Sequence, residues 1–543
     1  MIRAGYTLGP DGRVDRGKSA SQNTDMSFPY TQVSGPQRYE AAVHLGFRYL
    51  EVPGIPAEEI AAVSGVVVHS EHPGCGQREG SFSSSDPALD AVFTLLRDSA
   101  LYGVQEQFVD TPTREKGQFL GDAVNISYAT MALFGERNLT AQALREFAAS
   151  AGRYWSDGGE HGRYNAVYPN GDGKRDIPDF SLMMPEWVED YHRNSGDTAL
   201  VEELLPALRA TAGYVLRHIP AEGPTAGLVT CLGGGSGPYL HGIVDWPAPG
   251  RFGYDLECAA KTTVNAQAVS VLDAVAGLCE LTGRRREAAE YRAHSDELSA
   301  AINIRLRVDG TMVDGLHANG TPSGHASQHA TSFPMSLGIT PEIWVERDGR
   351  RLAGMGMRQG PMTVHRLVRA LLAAGMVDEV LDLLTNPGQP GWARLLESRA
   401  SFTWEAWELD EATDYSQSHA WSASVIREIL SHVIGVRVAD GGTEVCIQPP
   451  SCRLQHARGS VPLQRGMVSA SWRRGAAGME LSCTVPAGVR AAVVLPAGRY
   501  AVEGPTPDAA VVGPSTGTDP VTFRIHPGTW LFRPEQPAGT ARS

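Results

Sequence analysis

The sequence predicts a multidomain, mainly α protein in which a long helical section is flanked by β structure on both sides. Three observations carry this. From about residue 86 to 435, apolar residues recur at spacings of three and four, the period of a helix with one buried face. After Gly435, short β-rich runs alternate with Gly/Pro turns at regular spacing, the pattern of an antiparallel sandwich. Before Ser85, turn clusters separate short strand-like segments. A chain of 543 residues exceeds what one core organises, so about two or three domains are expected. The divisions fall at 1–85, 86–435 and 436–535.

In the first part, Gly9-Pro-Asp-Gly12, Ser34-Gly-Pro36 and Glu71-His-Pro-Gly74 read as turns, and Phe47-Arg-Tyr-Leu-Glu-Val52 and Val66-Val-Val-His69 as strands. Ser81-Phe-Ser-Ser-Ser85 reads as a linker, and Asp86-Pro87 as the cap and first-turn proline of the first helix. Helical periodicity is clear in Leu89–Leu96, Leu139–Phe147, Leu200–Leu208, Val264–Leu272, Val364–Leu372 and Ala423–Leu430. Gly-rich stretches such as Asn170-Gly-Asp-Gly173 and Gly233-Gly-Gly-Ser-Gly237 punctuate the helices. About ten to twelve helices without alternating strands imply paired helices packed on one another. In the last part Thr443–Ile447, Gly466–Trp472, Met479–Val485, Ala491–Leu495 and Val521–Ile525 read as strands, and the tail from Pro534 as frayed.

Composition narrows the function classes. The formal net charge of −14 offers no basic field to attract phosphates, which argues against nucleic acid or an anionic membrane as partner. It fits a neutral small molecule. Seven cysteines without a Cys-x-x-Cys read as reduced structural thiols, and no apolar run reaches transmembrane length in this reading. The N-terminus lacks a charged region followed by an apolar one, so a cytoplasmic protein is the default expectation. No phosphate loop, dinucleotide fingerprint or nucleophile elbow occurs, and no cofactor is expected. His325 and His329 lie four apart but lack a third ligand, so no metal site is assigned there.

The densest chemistry lies in Asp110-Thr-Pro-Thr-Arg-Glu-Lys-Gly-Gln-Phe-Leu-Gly-Asp122, which packs three carboxylates, an Arg and an aromatic into one loop ahead of a helix. Singly, Asp110 can be a turn residue, Asp122 an N-cap and Glu115 a solvated acid. Crowded and buried, their pKa values would be pushed apart, which yields an acid and a binding carboxylate at one pH. A second constellation, Ser401-Phe-Thr-Trp-Glu-Ala-Trp407, sets Glu405 between Trp404 and Trp407, and Asp414-Tyr-Ser-Gln-Ser-His-Ala-Trp421 brings His419 to a helix start. Indoles offer flat apolar faces to pyranose rings and desolvate a neighbouring carboxylate.

These motifs resemble those of bacterial α-L-rhamnosidases, glycoside hydrolase family 78. The loop resembles the family's Asp-Cys-Pro-x-Arg-Glu-Lys-x-Gly-Trp-x-Gly-Asp, with Thr111 for Cys, Gly117-Gln118 in place of x-Gly, and Phe119 for Trp. The second resembles Thr-x-x-Trp-Glu-x-Trp, with Ser401 for Thr. Leu45–Val52 resembles a strand near the end of the family's N-terminal β-sandwich, of which only the tail would be present. The resemblance implies an (α/α)6 barrel between β domains and an inverting exo-glycosidase acting on terminal α-L-rhamnose or a close 6-deoxy sugar. It implies Glu115 as general acid and Glu405 as general base. It implies Asp110, Arg114, Phe119, Asp122, Asp179, Asp245, Trp246, Trp404, Trp407 and His419 as substrate contacts. Asp179 maps through Ile177-Pro-Asp-Phe-Ser181, and Asp245 and Trp246 through Ile243-Val-Asp-Trp246, where Val244 replaces the usual Gly. A non-catalytic sugar-binding protein on the same fold, or a glycosidase for another sugar, are the competing readings.

Overall fold

In a computed structural model, which describes residues 1–70, 79–156, 158–169, 173–410, 412–506 and 519–535, the helical section opens where the sequence places it. The Asp86 carboxylate accepts from Ala88 N and Leu89 N and caps the helix Pro87–Tyr102, with Pro87 in the first turn where its missing N–H is harmless. Two helices are buried on nearly every side, Leu120–Phe134 and Thr262–Leu281. Around them pack strongly one-sided helices such as Asn138–Tyr154, Met184–Ser195 and Val364–Ala373. Thr262–Leu281 lies along its sequence neighbour Arg285–Arg305, and Gln328–Ser336 packs against Val364–Ala373, the next helix but one. The section also returns on itself. Val377–Thr385 and Trp392–Glu397 pack on Pro87–Tyr102, and the 3-10 turn Ala420–Val425 packs on both Pro87–Tyr102 and Leu120–Phe134.

Thr262–Leu281 corrects one reading of the sequence. It is long and apolar enough to cross a membrane, the one such helix among the described residues, yet most of it is buried within the fold. An inner helix surrounded by other helices has no polar face to show, which is why its hydropathy imitates a span.

Two sheets follow the helices. One has the order Tyr500–Glu503, Gly528–Pro534, Gly478–Val485, Gly466–Gly475, His456–Leu463 and Ser81–Ser84, and the other Val521–Ile525, Arg490–Leu495, Glu444–Ile447 and Val436–Ala439. Their alternating residues, including Trp472, Leu481, Val493, Phe523 and Trp530, enter one shared core with the end of the helical section. Trp472 Nε1 donates to Val433 O at 2.9 Å and ties the two together. Every strand expected here is present, with Val436–Ala439, His456–Leu463, Tyr500–Glu503 and Gly528–Pro534 in addition. Two expectations fail. Glu444–Ile447 pairs with Arg490–Leu495 in parallel, so the arrangement is not wholly antiparallel. Ser81–Ser84 is not a linker but an edge strand, in register with Ala457–Ser460. Its short serine side chains satisfy a period-two strand as well as a loop, and only the waiting partner decides between them.

At the start of the chain Ser27–Phe28, Ile2–Gly5 and Tyr49–Glu51 form a small antiparallel sheet. Val66–His69, expected as a strand, is irregular and exposed, with Val66 82% accessible, and among the described residues no strand pairs with it. The turn proposed at 71–74, part of the loop 170–173 and the tail beyond 535 lie outside the described residues.

Candidate active site

The loop 110–119 is closed by its own polar groups. Asp110 N donates to Gly117 O, Gly117 N donates to Asp110 Oδ1 at 2.7 Å, and Lys116 takes a positive φ of 55° to make the return. Gln118, where the motif has glycine, is fully buried: its Oε1 accepts from Phe108 N and its Nε2 donates to Glu146 and to Tyr168 O. The first part of the chain braces the loop from outside, through Tyr6 OH and Gly46 N on Thr113 and Gln22 on Thr111. Phe119 then stands at the start of the helix Leu120–Phe134 and Asp122 in its first turn. Gly121 is needed there, since a Cβ would come within 2.7 Å of the Phe180 ring.

These pieces surround a cleft of about 470 Å³ including its open mouth, lined by Asp110, Arg114, Glu115, Phe119, Asp122, Trp246, Glu405 and His419. Arg175, Ile177, Phe180, Tyr239, Ile243 and Trp421 complete the wall. Arg114 is its electrostatic centre. Its Nη2 lies 3.1 Å from Glu115 Oε2 and 3.1 Å from Glu405 Oε2, so those oxygens are at most about 6.2 Å apart (twice 3.1 Å). Its Nη1 donates to Asp414 O. Glu405, 2% accessible, also accepts from Ser416 N at 2.7 Å and from Trp246 Nε1 at 3.1 Å. Asp122 Oδ1 is 2.7 Å from His419 Nε2, and the His419 ring lies 4.0 Å from that of Trp421.

The carboxylates divide. Burial first, then the adjacent Glu115, push Asp110 well above the ordinary carboxyl range. Glu115 stays below it: burial pushes it up, but the Asp110 carboxyl and the Arg114 guanidinium pull further down. Of this pair, Asp110 is the carboxyl that takes up a proton first as pH falls, and Glu115 is the more accessible of the two. Asp122 is raised by burial, against the opposing pull of His419.

A family model described as the bacterial α-L-rhamnosidase 6 hairpin glycosidase domain matches residues 77–433, and one for the bacterial α-L-rhamnosidase C-terminal domain matches residues 435–508. The chain belongs to the bacterial α-L-rhamnosidase six-hairpin glycosidase family. Among its relatives, an α-L-rhamnosidase of Streptomyces avermitilis is 23% identical over 91% of this chain and 46% of the relative, and one from an Alteromonas species is 22% identical over 85% and 49%. The chain thus spans about half the length of the curated relatives it matches. The solved α-L-rhamnosidase from Dictyoglumus thermophilum superposes with a TM-score of 0.76 at 18% identity, over 98% of this chain and 58% of its own. That of Streptomyces avermitilis, solved in complex with L-rhamnose, gives 0.77 at 19%, over 98% and 49%. These likenesses establish the fold.

Within this six-hairpin domain, four residues expected at the substrate are placed elsewhere. The Asp179 carboxylate accepts from Ile243 N and Val244 N, both at 2.9 Å, and shapes the loop before Trp246 from behind. This explains the departure at Val244. The family's glycine suits a positive φ, and Val244 is held at 68°, a conformation a β-branched residue adopts only under such restraint. Asp245 is wholly buried and accepts from Gly360 N and Thr363 Oγ1, with His329 Nε2 at 2.7 Å. His329 is accordingly a core histidine held by Asp245 through Nε2, and His325 Nδ1 lies 2.6 Å from Asp314 Oδ2. Trp407 turns into the core, donating to Gln359 O and packing edge-on against Trp392. Trp404 packs against the same core. The two indoles flank Glu405 in sequence, yet both pack on that core while the Glu405 carboxylate lines the cleft. The aromatic walls come instead from Trp246, Tyr239, Phe180 and Trp421. Trp421 stood in the second motif two residues after His419 and Phe180 beside Asp179. Arg175, whose guanidinium lies 4.8 Å over the Phe119 ring, carried no signal in the sequence.

Proposed function

We propose that the chain is an inverting exo-glycosidase that removes a terminal α-L-rhamnosyl group, or a close 6-deoxy sugar, with Glu115 as general acid and Glu405 as general base. The observation that carries this is the meeting of Glu115 and Glu405 on one guanidinium nitrogen in an aromatic-walled cleft. Carboxyl pairs of inverting glycosidases stand roughly 6.5–9.5 Å apart, leaving room for a water. The nearest oxygens here are drawn together by Arg114, and a sugar hydroxyl competing for Nη2 would release them. The rhamnosidase relatives, and the L-rhamnose complex of one of them, support the choice of sugar. The finer architecture in this reading is a closed (α/α)6 barrel with a β-sandwich behind it, the cleft lying at the barrel mouth.

The reaction begins with the proton on Asp110. It passes to Glu115, leaving Asp110 ionised, and Glu115 gives it to the glycosidic oxygen as the bond to the anomeric carbon breaks. Glu405 takes a proton from water whose oxygen bonds to that carbon from the opposite face, so the anomer inverts. Asp122 and Arg114 bind ring hydroxyls, with Asp122 oriented by His419, while Phe119, Phe180, Trp246 and Trp421 wall the apolar face and the C6 methyl. A panel of nitrophenyl glycosides, with the first-formed anomer followed by NMR, tests this. Turnover of the α-L-rhamnoside with β-L-rhamnose appearing first is expected. An α-anomer would make the enzyme retaining, turnover of another deoxy sugar alone would change the substrate, and binding without turnover would leave a sugar-binding protein.

A further inference from the structure

Away from the cleft, three chemically different metal donors converge among the described residues. They are the Asp255 carboxylate, the Cys258 thiol and the His317 imidazole, whose ligand atoms all lie within 4.8 Å of one another. The fold, not chance exposure, brings them together. Asp255 and Cys258 share one turn, closed by Cys258 N on Asp255 O. The following Ala260–Lys261 pairs antiparallel with Gly315–Leu316, in the register Ala260 opposite Leu316, which delivers His317 across from the turn. Gly315 makes the approach possible: a Cβ there would sit 2.8 Å from Cys258 Cβ and 2.3 Å from Ala260 O.

The spacing suits a small tetrahedral ion. With metal–nitrogen and metal–oxygen bonds of about 2.0–2.1 Å and a metal–sulfur bond of about 2.3 Å, tetrahedral geometry sets N and O about 3.3 Å apart and S about 3.6 Å from each. His317 Nε2 and Asp255 Oδ2 are 3.3 Å apart. The sulfur lies within 4.8 Å of both, so it has at most about 1.2 Å to close on the tetrahedral spacing of about 3.6 Å. Cys258 is buried while the Asp255 and His317 side chains are 21% and 36% accessible, so an ion would enter from solvent and meet the sulfur last. Ser323 Oγ donates to Asp255 Oδ2 at 2.7 Å and Glu257 N to Oδ1, which fixes the carboxylate's direction from behind.

We propose that Asp255, Cys258 and His317 form a zinc-type divalent cation site, with water as the fourth ligand, that staples the turn following the Trp246 segment to the hairpin carrying His317. One thiolate, one imidazole and one carboxylate are a borderline-soft donor set, suited to Zn²⁺ and poorly suited to Mg²⁺ or Ca²⁺. A metal binds the thiolate, so forming the metal–sulfur bond releases the Cys258 proton to solvent.

The test uses the full chain, stripped with a chelator and titrated with ZnCl2 against a chromophoric competitor, with MgCl2 in parallel. One equivalent of Zn²⁺ is expected to bind, to raise Tm and to protect Cys258 from alkylation, while Mg²⁺ does none of these. Cys258→Ser and His317→Gln should each weaken binding by about tenfold or more and abolish the protection or the Tm shift. A change at the buried Cys258 also disturbs packing, so His317→Gln, on an accessible side chain, decides independently. Absence of stoichiometric binding, or binding that His317→Gln leaves unchanged, overturns the site.

Discussion

Replacing Asp110 with Asn should make the protein more stable and less active, with a stability gain that grows with pH. Burial and then Glu115 push the Asp110 carboxyl well above the 3.8 at which it titrates in an unfolded chain. Above that pH, folding must return a proton to the side chain. Each further pH unit therefore costs the native state about 1.4 kcal/mol, until the raised native value is passed. Glu115 is shifted the opposite way. Its contribution is fully present above its ordinary 4.5 and lost only as pH falls below it, so from about pH 5 upward the slope of this pair belongs to Asp110, and the other raised acids cancel in the comparison of the two proteins. Asn keeps the oxygen that accepts from Gly117 N and turns an N–H toward Glu115, as the protonated acid does. The advantage of Asp110→Asn should grow by up to about 1.4 kcal/mol per pH unit, or roughly 1–2 °C in Tm, because an unfolding entropy of about 2.1 cal/mol/K per residue gives about 1 °C per kcal/mol for a chain of 543 residues. Differential scanning fluorimetry of both proteins from about pH 4.5 to about pH 8 measures this, and rhamnoside hydrolysis should fall because the proton reservoir is gone. A gain of equal size at both ends of the range, or a loss at both, would refute proton sharing between Asp110 and Glu115.

Glu115→Gln should lower hydrolysis of poor leaving groups by about 10²–10⁴ and activated aryl glycosides less; equal loss on both would remove Glu115 from the acid role. Glu405→Ala should abolish turnover whatever the leaving group, with partial rescue of an activated glycoside by azide, and an unchanged kcat would sink the base assignment. Trp246→Phe keeps the wall but deletes the Nε1–H that binds Glu405 at 3.1 Å. Hydrogen bonds to charged groups are worth about 1.5–3 kcal/mol, so kcat/KM should drop about tenfold to a hundredfold, and a change confined to sugar affinity would contradict this. Phe119→Trp, restoring the residue of the family motif, should keep or raise rhamnoside hydrolysis, and loss of activity would show that Gly117 and Arg175 have reshaped that wall around phenylalanine.

The legibility of the site followed the kind of signal each residue carried. The loop 110–122 was readable because three acids, an Arg and two glycines in fixed spacing are rarely there for packing alone, and the structure brings Asp110, Arg114, Glu115, Phe119 and Asp122 to one cleft. Glu405 and His419 were readable for the same reason. Trp404 and Trp407 belong to the same conspicuous motif as Glu405, and Asp179 and Asp245 to weaker ones, yet their side chains serve backbone amides and the core. A motif fixes which residues lie near a site, and the direction of each side chain depends on partners distant in sequence.

By itself the sequence determined what depends on local periodicity and on crowded chemistry: the helical middle, the β-rich end, the capped start at Asp86 and the two carboxylate motifs. Tertiary structure alone decided what depends on a distant partner. Ser81–Ser84 is a strand because His456–Leu463 lies beside it, Val66–His69 is irregular with no strand beside it among the described residues, and Thr262–Leu281 is an inner helix because other helices cover it. The division of the acids belongs to this second class. Asp110 and Glu115 are the same chemistry five residues apart, and only burial of one and the reach of Arg114 to Glu405 across the cleft drive their pKa values in opposite directions. Desolvation and charge act through space, and the chain order does not contain the distances on which they depend.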